Sequence, residues 1–203
     1  MIKVKICGIT NLADAMLAID AGADALGFIF VDGTPRFVTP AQAGPIIRAL
    51  PPLVTAVGVF WGHPGGHVKS VAESCGLGAL QFHGDEAPED LVGYTLPVIK
   101  TLKIADASDL ERMGAYTVAA FLLDSRERWS EGEVRRPIQW TLARAASARG
   151  RIILSAGLTP DNVAEAIAVA RPYGVDVNSG VEAAPGRKDP VKLRDFIAAA
   201  KQA

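Results

Sequence analysis

The chain is poor in the features that mark several whole classes of protein. It has only two cysteines, Cys7 and Cys75, and no CxxC pair. That argues against a disulfide framework and for a reducing compartment. Its formal net charge is −1, and no basic run is longer than Arg135-Arg136. A nucleic-acid partner needs a clustered basic face, so none is expected. No apolar run approaches the roughly 20 residues of a membrane-spanning helix. The first residues, Met-Ile-Lys-Val-Lys-Ile, alternate like a strand and lack the long apolar stretch of a secretory signal. These absences predict a soluble, cytoplasmic protein with no membrane partner, and the sequence names no protein partner.

What is present is enough apolar material for a sizeable core: 49% of the residues are hydrophobic and 21% charged. It is arranged in short runs. Lys3-Val-Lys-Ile-Cys-Gly-Ile-Thr10 reads as a strand that stops at Gly8, with Thr10 or Asn11 placed to cap a helix. Cys7 therefore lies at a strand end. Further apolar strands are predicted at 25–30, 55–60, 79–82, 98–101, 119–123, 151–154 and 174–177. Helical or capped segments are predicted at 11–21, from 39 to about 50, 67–75, 88–94, 106–113, 140–149, from 159 and 189–200. Thr39-Pro40 and Asp189-Pro190 carry proline where a first turn tolerates it.

Eight strands, each followed by a helical segment, predict an α/β fold, a compact (β/α)8 TIM barrel of parallel strands. An open doubly wound sheet has the same alternation, but the count of eight favours the barrel. No linker or shift of composition interrupts the chain, which predicts one domain over 1–203.

The active site of such a barrel lies at the C-terminal strand ends. That rule selects Cys7, the loop 32–36 with Arg36, His83, Asp124, and the stretches 155–157 and 176–180. A buried cysteine is often only a small hydrophobe, and Asp124 or His83 would serve equally in a turn. His63 and His67 have no carboxylate or thiol at ligand spacing, so no metal site is expected. The loops after strands seven and eight carry Ala156, Gly157, Ser179 and Gly180. In a barrel these two loops form the usual phosphate site, because glycine lets backbone N–H groups come close to an anion.

Several stretches carry a resemblance. They are Lys5-Ile-Cys-Gly-Ile-Thr10, Gly27-Phe-Ile-Phe30, Pro35-Arg36, Val57-Gly-Val-Phe60, Gln81-Phe-His-Gly84, Leu122-Leu-Asp124, Gly157-Leu-Thr-Pro-Asp-Asn162 and Asp176-Val-Asn-Ser-Gly-Val-Glu182. In order and spacing the chain resembles the phosphoribosylanthranilate isomerases of tryptophan biosynthesis over nearly its whole length. The resemblance implies an Amadori rearrangement of an N-linked aminoaldose to a 1-amino-1-deoxyketose. It places the general base at Cys7, the general acid at Asp124, and the residue facing the anthranilate carboxylate at Arg36. His83 and Asp176 are expected to bind substrate. No cofactor is required, since electrons move only within the substrate. To work near neutrality the carboxyl would have to be raised and the thiol lowered, with Lys5 on the same strand face as a candidate cation.

Two departures stand out. Ala156 replaces the first of two glycines that the family usually has after strand seven. The loop 130–136 is charged where the family's is commonly glycine-rich; it is expected to act as a lid, with Gly132 as the hinge and Trp129 or Val134 over the anthranilate ring. Two other readings stay open: a barrel that binds a phosphorylated ligand without turnover, and a related aminoaldose isomerase or sugar-phosphate epimerase. The histidine-pathway type uses two aspartates, against which Cys7 speaks.

Overall fold

The computed structural model describes residues 1–125, 140–155 and 157–203. Its centre is a closed barrel in which every strand pairs with its sequence neighbours and β1 closes on β8. The strands are β1 (Lys3–Cys7), β2 (Ala25–Ile29), β3 (Thr55–Phe60), β4 (Ala79–Phe82), β5 (Val98–Ile104), β6 (Ala120–Ser125), β7 (Ile152–Leu154) and β8 (Gly174–Val177). All eight pairings are parallel.

Alternation along the strands divides the core in two. Val57, Ala79, Ile99, Ala120, Leu122 and Ile153 form a buried cluster inside the barrel. Outward-facing strand residues, among them Leu26, Phe28, Leu80, Phe82 and Leu123, join the larger cluster between barrel and helices. A parallel barrel is covered on both faces, and this is why its strands read as short continuous apolar runs.

Local chemistry starts and stops the helices. Asn11 caps α1 (Leu12–Asp20) by accepting from the Asp14 N–H at 2.8 Å. Thr10, the other candidate cap, instead donates to the Gly186 carbonyl at 2.6 Å. A capping box of Thr39 and Gln42, with Pro40 in the first turn, opens α2 (Pro40–Arg48). Then come α3 (Gly65–Cys75), α4 (Trp140–Ala146), α5 (Val163–Ala170) and α6 (Pro190–Gln202), the last capped by Asp189.

The returns after β4 and β5 are helical, as expected, but not α-helical. They are 3-10 segments, Pro88–Leu91 and Ala107–Ala115. Such a segment rises about 2.0 Å per residue against about 1.5 Å for an α-helix, so a short return covers more of the barrel's height. After β8 the chain makes a 3-10 turn (Ser179–Val181) and a small hairpin of β9 (Glu182–Ala184) and β10 (Arg187–Lys188), which the sequence reading did not anticipate. Among the described residues no helix is long and apolar enough to cross a membrane.

Candidate active site

The polar groups of the lumen collect at the C-terminal mouth of the barrel. Cys7 is the last residue of β1 and is 5% exposed. Lys5, two residues earlier, shares its lumen-facing side. Its ammonium donates to Asp176 Oδ1 of β8 at 2.6 Å, and Ser155 Oγ donates to Asp176 Oδ2 at 3.3 Å. Gly27 on β2 makes the room: a Cβ there would lie 2.8 Å from Cys7 Sγ and 3.2 Å from Lys5 Cε. Burial pushes the Cys7 thiol above its ordinary range, the Lys5 and Lys188 ammoniums pull it down, and Asp176 reinforces burial. The net direction is upward, opposite to the lowering the sequence reading asked for. Burial also presses on the Lys5 ammonium, but Asp176 and Cys7 outweigh it and hold it above its ordinary value.

Arg36 is 7% exposed. Its guanidinium forms a fork on Glu182, with Nε to Oε1 at 2.9 Å and Nη2 to Oε2 at 2.5 Å. Lys188 of β10 donates to the same Glu182 Oε1 at 3.1 Å and to Asn178 Oδ1 at 3.2 Å. Burial works against the Glu182 carboxylate, yet Arg36 and Lys188 keep its pKa below the usual range. The residue expected to face the substrate's carboxylate is thus held by a carboxylate of the protein. Gly8, with φ of +74°, lets the chain pass this cluster, because a Cβ would meet Asn178 Oδ1 at 2.6 Å and Arg36 Cδ at 2.8 Å.

Asp124 lies near the end of β6, its Oδ1 accepting from the Ser125 N–H at 2.9 Å. Its Oδ2 is 3.5 Å from His83 Nε2. His83 also neighbours Trp61, their rings 5.7 Å apart. Lys103, register partner of Asp124 on β5, sets its ammonium 4.7 Å from the centre of the Trp61 ring. Acid, imidazole, indole and ammonium therefore share one sector of the mouth, over β3 to β6.

The third sector is made by the loops after β7 and β8. They touch at backbone level: a Cβ on Gly180 would lie 2.0 Å from the Leu158 carbonyl oxygen. Gly157 adopts φ of +68°, and Asn162 braces its loop by donating to the Gly157 carbonyl at 2.8 Å while accepting from the Thr159 N–H at 2.8 Å. Ser179 opens the 3-10 turn. The remaining phosphate candidate, Ala156, and the expected lid 130–136 with Trp129 lie outside the described residues.

Of the sequence candidates, Cys7 and Asp176 share one cluster through Lys5, and Asp124 and His83 share another. Gly157, Ser179 and Gly180 lie on the two contacting loops, while Arg36 joins a fourth group on Glu182. The sequence reading assigned no role to Lys188, Lys100 or Glu86. Glu182 closed a recognised motif without one. Among the described residues no group of three or more His, Cys, Asp or Glu is placed to hold a metal ion.

Fold and mouth together define the class: a parallel (β/α)8-barrel enzyme whose ionisable groups converge at the C-terminal strand ends. A family model described as N-(5'phosphoribosyl)anthranilate (PRA) isomerase matches residues 4–199. A relative from Pelobacter propionicus named N-(5'-phosphoribosyl)anthranilate isomerase is 54% identical, covering 100% of this chain and 97% of its own. The phosphoribosyl anthranilate isomerase of Thermotoga maritima superposes with a TM-score of 0.92 at 39% identity, with full coverage of both chains. Another isomerase of that name, solved with reduced 1-(o-carboxyphenylamino)-1-deoxyribulose 5-phosphate, gives a TM-score of 0.89 at 38% identity over 100% of both chains. The chain belongs to the N-(5'-phosphoribosyl)anthranilate isomerase family.

Proposed function

We propose that the chain, acting as one barrel domain in the cytoplasm, converts N-(5'-phosphoribosyl)anthranilate to 1-(2-carboxyphenylamino)-1-deoxyribulose 5-phosphate in tryptophan biosynthesis. One observation carries the assignment of roles. The contacting loops after β7 and β8 lie between β1, which ends on Cys7, and β6, which carries Asp124. A phosphate bound by the backbone around Gly157, Ser179 and Gly180, with Ala156 in the same loop, sets the sugar between thiol and carboxyl. The cytoplasmic placement rests on the two free cysteines, Cys7 and Cys75.

In this reading Asp124 protonates the furanose ring oxygen, and the C1–O bond breaks to give a protonated Schiff base. Cys7, having lost its own proton to solvent, takes the proton from C2 as the thiolate, leaving an enolamine that tautomerises to the ketone. Lys5 stabilises the thiolate as it forms and Asp176 holds Lys5 in place. His83 orients the Asp124 carboxyl, and the Arg36 guanidinium faces the anthranilate carboxylate. Electrostatic groups fixed before the reaction need no rearrangement during it.

The test is turnover of freshly made phosphoribosylanthranilate, followed by loss of its fluorescence. Protein that binds a product analogue but turns nothing over would sink the reading in favour of an idle phosphate-binding barrel.

A further inference from the structure

The loops after β3 and β4 share one anchor. Trp61 and His83 each precede a glycine, Gly62 and Gly84. Both glycine N–H groups donate to the same atom, Glu86 Oε1, at 2.9 and 3.2 Å. Glu86 Oε2 accepts from Lys100 Nζ at 2.6 Å, and Lys100 also donates to the Gly84 carbonyl at 2.7 Å. Tyr116 completes the set, its hydroxyl donating to the Glu86 carbonyl at 3.1 Å and its ring 5.7 Å from the Lys100 ammonium.

Neither charged residue belongs to the mouth. Lys100 is 1% exposed and lies on the outer side of β5, opposite to the lumen-facing Ile99. Glu86 is 8% exposed. Burial penalises its charge, but Lys100 and the Gly62 N–H keep its carboxyl below the usual range. A buried ion pair contributes little net stability against well-packed apolar side chains. What this one fixes is position. Gly84 has no space for a side chain, since a Cβ would lie 2.6 Å from Trp61 Cδ1 and 2.7 Å from Glu86 Oε1. On its other side His83 is tied to β3 by its N–H, which donates to the Phe60 carbonyl at 2.8 Å.

We propose that the Glu86–Lys100 pair is a positioning device for the catalytic acid: it sets His83 against Asp124, and Trp61 beside His83, without touching substrate. This rests on the isomerase reading above, with Asp124 as the acid. A misplacement of about 1 Å in a catalytic constellation costs on the order of a hundredfold in rate, so a clamp one layer behind the mouth has a large lever.

A double-mutant cycle tests it. Lys100→Met and Glu86→Gln should each lower kcat by about tenfold or more, with KM changed by less than about threefold. In a His83→Asn background the same changes should cost less than about twofold, because the route through His83 is already cut. Lys100→Arg should restore most of the loss. Equal losses in both backgrounds would mean general damage and overturn the proposal. Glu86→Gln keeps an acceptor for the two glycine N–H groups, so it carries the cycle if Lys100→Met fails to fold.

A readout without substrate follows the His83 imidazole by NMR. The groups facing it are Asp124 from β6, Trp61 with Lys103 beside it, and Gln81 on its own strand. Asp124→Asn changes the group 3.5 Å from His83 Nε2 and should displace the imidazole resonances in the parent protein. With Glu86→Gln or Lys100→Met in place, that displacement should shrink to less than about half. An undiminished displacement refutes the clamp, even if an inactive parent protein has already refuted the isomerase reading.

Discussion

Lys5 donates to Asp176 at 2.6 Å across the seam where β1 meets β8, and it shares the lumen-facing side of β1 with Cys7. The proposed base is thus a buried thiol beside a cation whose charge is already committed to a carboxylate. Burial wins at Cys7, and its thiol stays above the ordinary range. The resting enzyme at neutral pH therefore holds the protonated thiol. The thiolate fraction grows about tenfold for each pH unit below the thiol's pKa. Alkylation of Cys7 by iodoacetamide should accordingly speed up with pH from neutral into the alkaline range, and Cys7→Ser should lower kcat by roughly 10² to 10⁴. A serine variant with parental turnover would remove Cys7 from the mechanism. Cys75, packed against the Pro40 carbonyl at 3.6 Å under α2, should accept serine with little effect on rate.

Asp124→Asn keeps the shape of the carboxyl and its reach to His83 but has no carboxylic proton to give. The expected outcome is a collapse of kcat with affinity for a product analogue largely retained. A loss confined to KM would make Asp124 a binding group, since uniform binding acts on KM alone.

Arg36→Lys separates charge from geometry. The guanidinium fork fits Glu182 with two bonds, at 2.9 and 2.5 Å, and a lysine can supply only a point charge. The variant should lose thermal stability, and it should bind substrates with and without the ring carboxylate equally well. If it keeps the parental discrimination, the carboxylate is anchored elsewhere.

The sequence carried the barrel because each strand is a short apolar run ended by glycine, proline or a cap. The bounds of β3, β4 and β8 coincide with the expected ones. The helical returns after β4 and β5, Pro88–Leu91 and Ala107–Ala115, were less legible, because over so few turns apolar spacing does not separate an α-helix from a 3-10 helix. At the site, position at a strand end was enough to select Cys7, Arg36, His83 and Asp124. The partners that fix them were not legible. Glu182 reaches Arg36 from 146 residues away, and Lys188 bonds Asp14 by its backbone across 174. Glu86 and Lys100 are only 14 apart, yet nothing in a lone glutamate after His-Gly-Asp signals that its carboxylate joins two loops. Long-range pairing leaves no periodic trace in sequence.

The Glu182 carboxylate predicts how stability falls in acid. Its folded-state pKa is depressed by Arg36 and Lys188. A depressed carboxylate contributes stability that is fully present above its unfolded value of about 4.3 and is lost as pH falls through the folded value. Glu182→Gln should therefore be less stable than the parent at pH 7, and the gap should narrow below about pH 4.5. Thermal melts across that range decide the matter: a gap independent of pH would mean that packing, not charge, explains the loss.

Gly180→Ala probes the proposed phosphate loops without touching either proposed catalytic group. The added Cβ would lie 2.0 Å from the Leu158 carbonyl oxygen, which belongs to backbone and cannot swing aside like a side chain. The loops after β7 and β8 must then separate, and the backbone groups of Gly157, Ser179 and Gly180 lose their common focus. Overpacking of this kind costs about 1 to 3 kcal/mol in stability. Binding should suffer more than chemistry, because Cys7 and Asp124 stand on β1 and β6 and keep their places. KM for phosphoribosylanthranilate and the inhibition constant of inorganic phosphate should rise together, by about tenfold or more for a shift near 1 Å, while kcat at saturation changes less. A variant whose kcat falls with phosphate affinity unchanged would move the anion site away from these loops.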